Sequence, residues 1–168
     1  RNLDFAWYQG IKIAIFDVSD VENPKELHKV VIGDRGTDSE ALQNHKAFLF
    51  DRKKELLVLP ITLAEIKGEK TQDNQYGEIT FQGAYVYNIN LEDGFELKGR
   101  ITHYDENEVE SKSGYYWYGN KNIQRALYMD DTLYTLSNEM IKANELDNLD
   151  EINKIELPSA EQIYYKGY

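Results

Sequence analysis

Ile11–Ile32 reads IKIAIFDVSDVENPKELHKVVI, and this stretch carries the plan of the whole chain. Ile11, Ile13 and Ile15 alternate with Lys12 and Ala14, the two-residue period of a strand whose faces meet different surroundings. Asp17–Pro24 (DVSDVENP) is dense in Asp, Ser, Asn and Pro, residues that turn a chain by bonding to nearby backbone or by pre-setting its dihedrals. Lys25–Ile32 returns as a second strand, so the stretch is a hairpin. The same order of apolar strand, acidic or polar turn and second strand recurs at Gly83–Thr102 (GAYVYNINLEDGFELKGRIT) and at Glu139–Leu157 (EMIKANELDNLDEINKIEL).

Repetition at intervals of several tens of residues marks an array of supersecondary units that bury their apolar faces against one another. Each later hairpin follows another pair of strands. Lys46–Asp51 and Glu55–Thr62 (KAFLFD, ELLVLPIT) meet across Arg52–Lys54, and Ile123–Met129 and Thr132–Ser137 (IQRALYM, TLYTLS) meet across Asp130-Asp131. A pair plus a hairpin makes four antiparallel strands, the blade of a β-propeller. The fold expected is all-β, a β-propeller segment with two complete four-stranded blades and a partial one. Residues 1–33 supply the partial blade, 34–103 and 104–158 the whole ones, and 159–168 a tail after Pro158. No apolar pattern recurs at three and four residues over more than about two turns, so no long helix is expected. Ser39–Gln43 has room for one helical turn.

The chain has 168 residues and a mass of 19.6 kDa. A ring of four to eight blades at roughly 40–50 residues each needs more than this. The first and last units therefore each leave a sheet face bare, to be covered by the remaining blades of a ring or by further copies of the same chain. The start at Arg1 fits a segment of a longer protein.

Thirty acidic residues against nineteen basic give a formal charge of −11, and the pI is near 4.7. The field of such a molecule repels nucleic acid, so no nucleic-acid partner is expected. There are no cysteines, which removes disulfides, thiolate catalysis and cysteine-based zinc sites together. The longest apolar runs are strand-sized, and no transmembrane segment is expected in this chain.

Three polar stretches interrupt the strand pattern: Gly33–His45, Glu65–Gly77 and Tyr104–Asn122. The first is too polar for a strand and is placed on the surface. The second lengthens the first repeat interval as an insertion, and in repeat folds insertions gather on one face, often the binding face. Within the first, Asp34, Asp38, Glu40 and His45 offer ligands at short intervals, with Gly36 for a sharp turn, so the loop is a candidate site for Ca²⁺ or another divalent ion. The spacing is not that of an EF-hand. The competing structural role for these acids is to cap turns, with Arg35 paired to one of them. In the third, Tyr115–Tyr118 reads YYWY, and Tyr116, Trp117 and Tyr118 are candidate ligand-binding residues, since large amphipathic rings dominate interface hot spots and carbohydrate stacking. The competing role is packing between blades.

The FDVSDVENPKEL repeat together with Val31–Asp51 (VIGDRGTDSEALQNHKAFLFD) resembles a family of secreted prokaryotic proteins that end in a β-propeller domain distantly related to WD40 repeats. The resemblance spans nearly the whole chain and implies a C-terminal position in that propeller and an extracellular or cell-surface location. It carries no established activity. It also implies a structural role for His45, because WD40-like blades often keep a histidine before a strand to pin the blade. His28 and His103 have no partner pattern of a base or ligand.

Ser39, Ser111, Ser113 and Ser137 lack the G-x-S-x-G setting of a hydrolase nucleophile, and no catalytic residue set is identified. Two functions fit. One is a non-enzymatic extracellular scaffold that binds a protein or glycan partner through the loops at one end of the propeller, with no cofactor. The other is a metal-dependent hydrolase or lyase with its ion in the loop 34–45.

Overall fold

Period two becomes pairing in the computed structural model, which describes residues 6–105, 108 and 119–158. Strands β1 (Ile11–Asp17) and β2 (Lys25–Ile32) form a two-stranded sheet. Strands β3 (Leu49–Asp51), β4 (Leu56–Glu65), β5 (Glu78–Asn90) and β6 (Gly94–Ile101) form a four-stranded sheet in chain order. Strands β7 (Arg125–Met129), β8 (Thr132–Leu136), β9 (Met140–Glu145) and β10 (Glu151–Glu156) form another. Every neighbouring pair is antiparallel, so each sheet is an up-and-down meander. This is the expected all-β segment of two whole blades and a partial one, and its sheets do not close into a ring.

The repeated acidic turn has one physical task. Asp17 accepts from the Ser19 amide at 2.9 Å, Asp51 from Lys53 at 2.7 Å, Asn90 from Asp93 at 2.7 Å and Asn148 from Asp150 at 2.8 Å. In each case a short side chain replaces the ladder bond that the reversing backbone has lost.

Strands β4 and β5 are buried on both faces, and alternation divides their side chains between two cores. Leu57, Leu59, Ile61, Leu63, Tyr85 and Tyr87 face the β1–β2 hairpin and pack with Ile11 and Ile32. Leu56, Val58, Ala84 and Val86 point the other way and meet Ala126 and Leu133 of the last sheet and Ile123 and Leu146 of its connections, together with Ile101. The first core is aromatic in part, with Tyr87 between Tyr85 and Phe95 at ring separations of 6.2 Å each. Each fully buried aliphatic side chain contributes roughly 1.5–3 kcal/mol. The β4–β5 ladder also runs further than the apolar pattern suggests, to Glu65 opposite Glu78, because Ile79 and Phe81 continue the alternation among polar neighbours.

Polar side chains pin the two four-stranded sheets together. The Gln82 amide accepts from the Ile123 N–H at 3.0 Å and donates to the Ile123 carbonyl at 3.3 Å, so it replaces a strand partner across the interface. Lys98 donates to the Leu146 carbonyl at 2.6 Å and Lys142 to the Thr102 carbonyl at 2.9 Å. His103 is buried, with Nδ1 3.0 Å from Ser137 Oγ and Nε2 2.9 Å from Thr135 Oγ1. Ser137 Oγ also accepts from the Met140 amide at 3.0 Å, so this histidine and serine are engaged in holding a turn. The pinning histidine expected at position 45 is thus found at 103, whereas His45 lies exposed in a 3-10 turn.

Burial, and after it the Lys142 ammonium, push the His103 imidazole down to about 4. An unfolded histidine takes up its proton near pH 6.5, so below that pH the unfolded state binds more protons than the folded one. Stability from this group is therefore complete above about pH 6.5 and is lost as pH falls towards about 4. Urea unfolding of the chain and of His103→Gln across pH 5–7 measures the effect. The difference in stability between the two should shrink as pH falls, and a constant difference would contradict the assignment.

Candidate functional site

Antiparallel meanders send alternate connections to opposite ends of the sheets. One end carries the turns 18–24, 52–55, 91–93, 130–131 and 146–150. The other carries 33–48, 66–77, 102–124 and 137–139, which include every long connection, and of these 106–107 and 109–118 lie outside the described residues. Long connections held by a rigid scaffold are where binding groups concentrate.

The polar segment after Gly33 does more than cover the surface. β3 pairs with β4 only as far as Val58, and beyond it the outer edge of β4 is sealed by residues 34–39. Ser39 Oγ donates to the Pro60 carbonyl at 2.5 Å, and Asp38 and Thr62 exchange backbone bonds of 2.9 and 2.8 Å. Thr37 Oγ1 accepts from the Ala64 amide at 3.0 Å, and the Asp34 carboxylate accepts from the Ile66 amide at 2.8 Å. Pro60, which has no N–H, stands where no ladder partner is needed. Arg35, Thr37 and Ser39 are 7, 5 and 6% exposed, so the segment alternates as a strand does, with polar residues facing inward. Gly36 has φ +107°, and a Cβ there would stand 3.2 Å from Ala64 Cβ and 3.3 Å from the Tyr76 ring.

This arrangement spends the four candidate metal ligands separately. Asp34 is anchored at Ile66, Asp38 caps the Ser39 amide at 2.8 Å, Glu40 accepts from Asn44 Nδ2 at 3.3 Å, and His45 is exposed in the next turn. Among the described residues no three His, Asp or Glu side chains stand together to hold an ion. Tyr116, Trp117 and Tyr118 lie outside the described residues.

Arg35 pairs with no carboxylate among the described residues. Its guanidinium lies 4.4 Å from the Trp7 ring centre, 5.3 Å from Tyr8 and 4.2 Å from Tyr76. It donates to the Asn74 carbonyl at 2.9 Å and to the Tyr76 hydroxyl at 3.2 Å. One buried cation thereby ties the chain entering β1 and the 66–77 connection to the sealing segment. Hydrogen bonding with Tyr8, and then with Arg35, holds the Tyr76 phenol below its usual range.

Between these loops lies a cleft of about 750 Å³ that touches the first two sheets and the connections around the third. It is lined by Asp38, Glu40 and Tyr76 from the loops around the first four-stranded sheet, and by Asn120, Gln124 and Asn138 from the connections around the last sheet. Pro60, Gln82 and Ile123 also line it, so the interface pin is part of the site. The amides escape sequence reasoning because they come from separate connections and form no motif. A smaller cleft of about 220 Å³ at the opposite end is crossed by Lys54–Asp131 and Lys98–Asp147 ion pairs of 3.4 and 3.9 Å.

Serial four-stranded meanders packed face to face, with a cleft at the long-loop end, define a propeller-type repeat protein. The chain belongs to the beta propeller domain family, whose model matches residues 2–149. It is similar to an uncharacterised protein of Archaeoglobus fulgidus, 24% identical over 148 residues, covering 88% of this chain and 17% of that protein. It is also similar to an uncharacterised protein of Methanocaldococcus jannaschii, 27% identical over 146 residues, covering 87% of this chain and 17% of that one. The chain thus spans about a sixth of the length of these relatives. No solved structure matches it.

Arg35→Lys should lower the melting temperature by a stability loss of roughly 1–3 kcal/mol, because an ammonium lacks the planar fork that stacks on the rings and reaches both acceptors. Thermal denaturation tests this, and an unchanged melting temperature would show that the ring contacts contribute nothing.

Proposed function

We propose that this chain is a non-enzymatic binding module that takes a protein or glycan partner at the long-loop end of its sheets. The observation that carries the reading is the cleft of about 750 Å³ built there from the connections of all three sheets. Gly119 lines it, and this reading counts Tyr116, Trp117 and Tyr118, the residues before Gly119 in the sequence, among the ligand-binding residues. The resemblance to secreted propeller proteins supports an extracellular or cell-surface location and a place at the C-terminal end of a WD40-like ring. The charge of −11 favours a partner that is neutral or basic over one that is acidic.

Binding of the purified chain to cell-envelope fractions tests the site. Asp38→Ala with Asn138→Ala, and separately Trp117→Ala with Tyr118→Ala, should each weaken retention about tenfold or more with the melting temperature little changed. Retention equal to that of the unaltered chain in both variants would rule the cleft out.

The metal-dependent hydrolase or lyase has a separate test. Asp34, Asp38 and Glu40 are each engaged with a different partner and His45 is exposed in the next turn, so the melting temperature should be the same with chelator and with added Ca²⁺ or Zn²⁺. A rise with either ion, by the linkage between binding and folding, would favour the enzyme.

A further inference from the structure

We infer that the cleft takes a neutral oligosaccharide; this rests on the cleft being the binding site. The first argument is its charge. Asp38, Glu40 and Lys12 line the space. Lys12 is ion-paired with Glu26, and the Arg35 guanidinium sits 4.2 Å from the ring of Tyr76, another lining residue. An anionic ligand would find Lys12 paired with a carboxylate and Arg35 held by its rings and acceptors. A cationic ligand would find the aromatic rings already serving an internal cation, whose charge opposes a second. Asp38, Glu40 and Glu26 against Lys12 and Arg35 leave a local charge of about −1, while the molecule as a whole carries −11.

The hydrogen-bonding groups are the second argument. Asn120, Gln124 and Asn138 present primary amides, each both donor and acceptor. Gln124 and Asn138 are exposed, and their side chains have no partner among the described residues. Asn120 uses Nδ2 on Glu139 at 3.0 Å, which leaves its oxygen as an acceptor. Of the Asp38 carboxylate oxygens, one caps the Ser39 amide and the other is available to the cleft. Hydroxyl groups are likewise both donors and acceptors, so vicinal hydroxyls match a lining that offers both primary amides and a carboxylate. Tyr8 and Tyr76, 56 and 39% exposed, add aromatic surface for the apolar face of a sugar ring.

The third argument separates a glycan from an extended peptide. A peptide strand binds by adding to a free sheet edge. The β4 edge at the cleft is closed, because Pro60 has no N–H, its carbonyl is taken by Ser39, and Thr62 is paired both ways with Asp38. Recognition along the β4 edge must come from side chains, which suits a ligand of ring hydroxyls.

Isothermal titration of the 168-residue chain with three kinds of probe tests this: tetrasaccharides of glucose, mannose and N-acetylglucosamine; octalysine; and an uncharged Ser/Ala octapeptide. At least one tetrasaccharide should bind with an affinity indifferent to salt, reduced about tenfold or more by Asp38→Ala, Gln124→Ala or Asn138→Ala and unaltered by Lys54→Ala at the far end. Binding of octalysine or the octapeptide that Asp38→Ala abolishes, with the sugars silent, would overturn the oligosaccharide and leave the cleft as a site. Silence from every probe, or binding unmoved by the three cleft substitutions, would overturn both.

Discussion

Burial of β4 and β5 on both faces is the constraint from which the rest of the molecule follows. A sheet with one wet face needs alternating apolar and polar residues, but ELLVLPIT and AYVYN leave almost no polar side to show to water. The two faces differ: Leu and Tyr project towards the hairpin, Val and Ala towards the last sheet. Small residues on one side let the sheets approach closely enough for Gln82 to reach the Ile123 backbone and for His103 to reach Thr135. The aromatic side spaces the hairpin and supplies a ring face for Arg100, whose guanidinium lies 4.7 Å from the Phe81 ring centre.

Two-faced burial creates a second requirement at the strand edge. β4 is longer than β3, so its backbone beyond Val58 would be left unpaired in a crowded place, at a cost of about 1–3 kcal/mol for each unsatisfied group. Residues 34–39 meet that requirement with side chains where a further strand would have used backbone. This explains why the segment is rich in Asp, Thr and Ser yet inwardly buried at alternate positions. The acids that resemble an ion-binding loop are part of this seal.

The strands were legible because their period is carried by apolar residues, and the turns because Asp and Asn bond to the backbone just beyond them. β1 and β2 lie where IKIAIFD and KELHKVVI place them. The seal was not legible, since its period-two pattern is written in polar residues and becomes visible only with the edge it covers. His103 and His45 show the same limit. Nothing local distinguishes a histidine between two hydroxyls from an exposed one, because Ser137 and Thr135 lie more than thirty positions away in sequence. The cleft is further from sequence reasoning again, as each connection gives it only a few residues.

Site and scaffold share residues, and this constrains how the cleft can vary. Gln82 and Ile123 line it and also form the bond that sets one sheet against the next. Gln124, the following residue, donates its backbone N–H to the Leu136 carbonyl at 2.9 Å, so its side chain is held at the entrance to β7 by the same register. Asp38, which also lines the cleft, belongs to a segment fixed to β4 by paired backbone bonds. The spacing between these lining residues is therefore the spacing between two blades, set by core packing and not by loop conformation. In the proposed binding role, substitutions at the exposed Asn138 and Gln124 would change what the cleft recognises at little cost to folding. Changes at Gln82 would move one blade against the other and leave a buried amide and carbonyl without partners, so recognition can diversify only around a fixed floor.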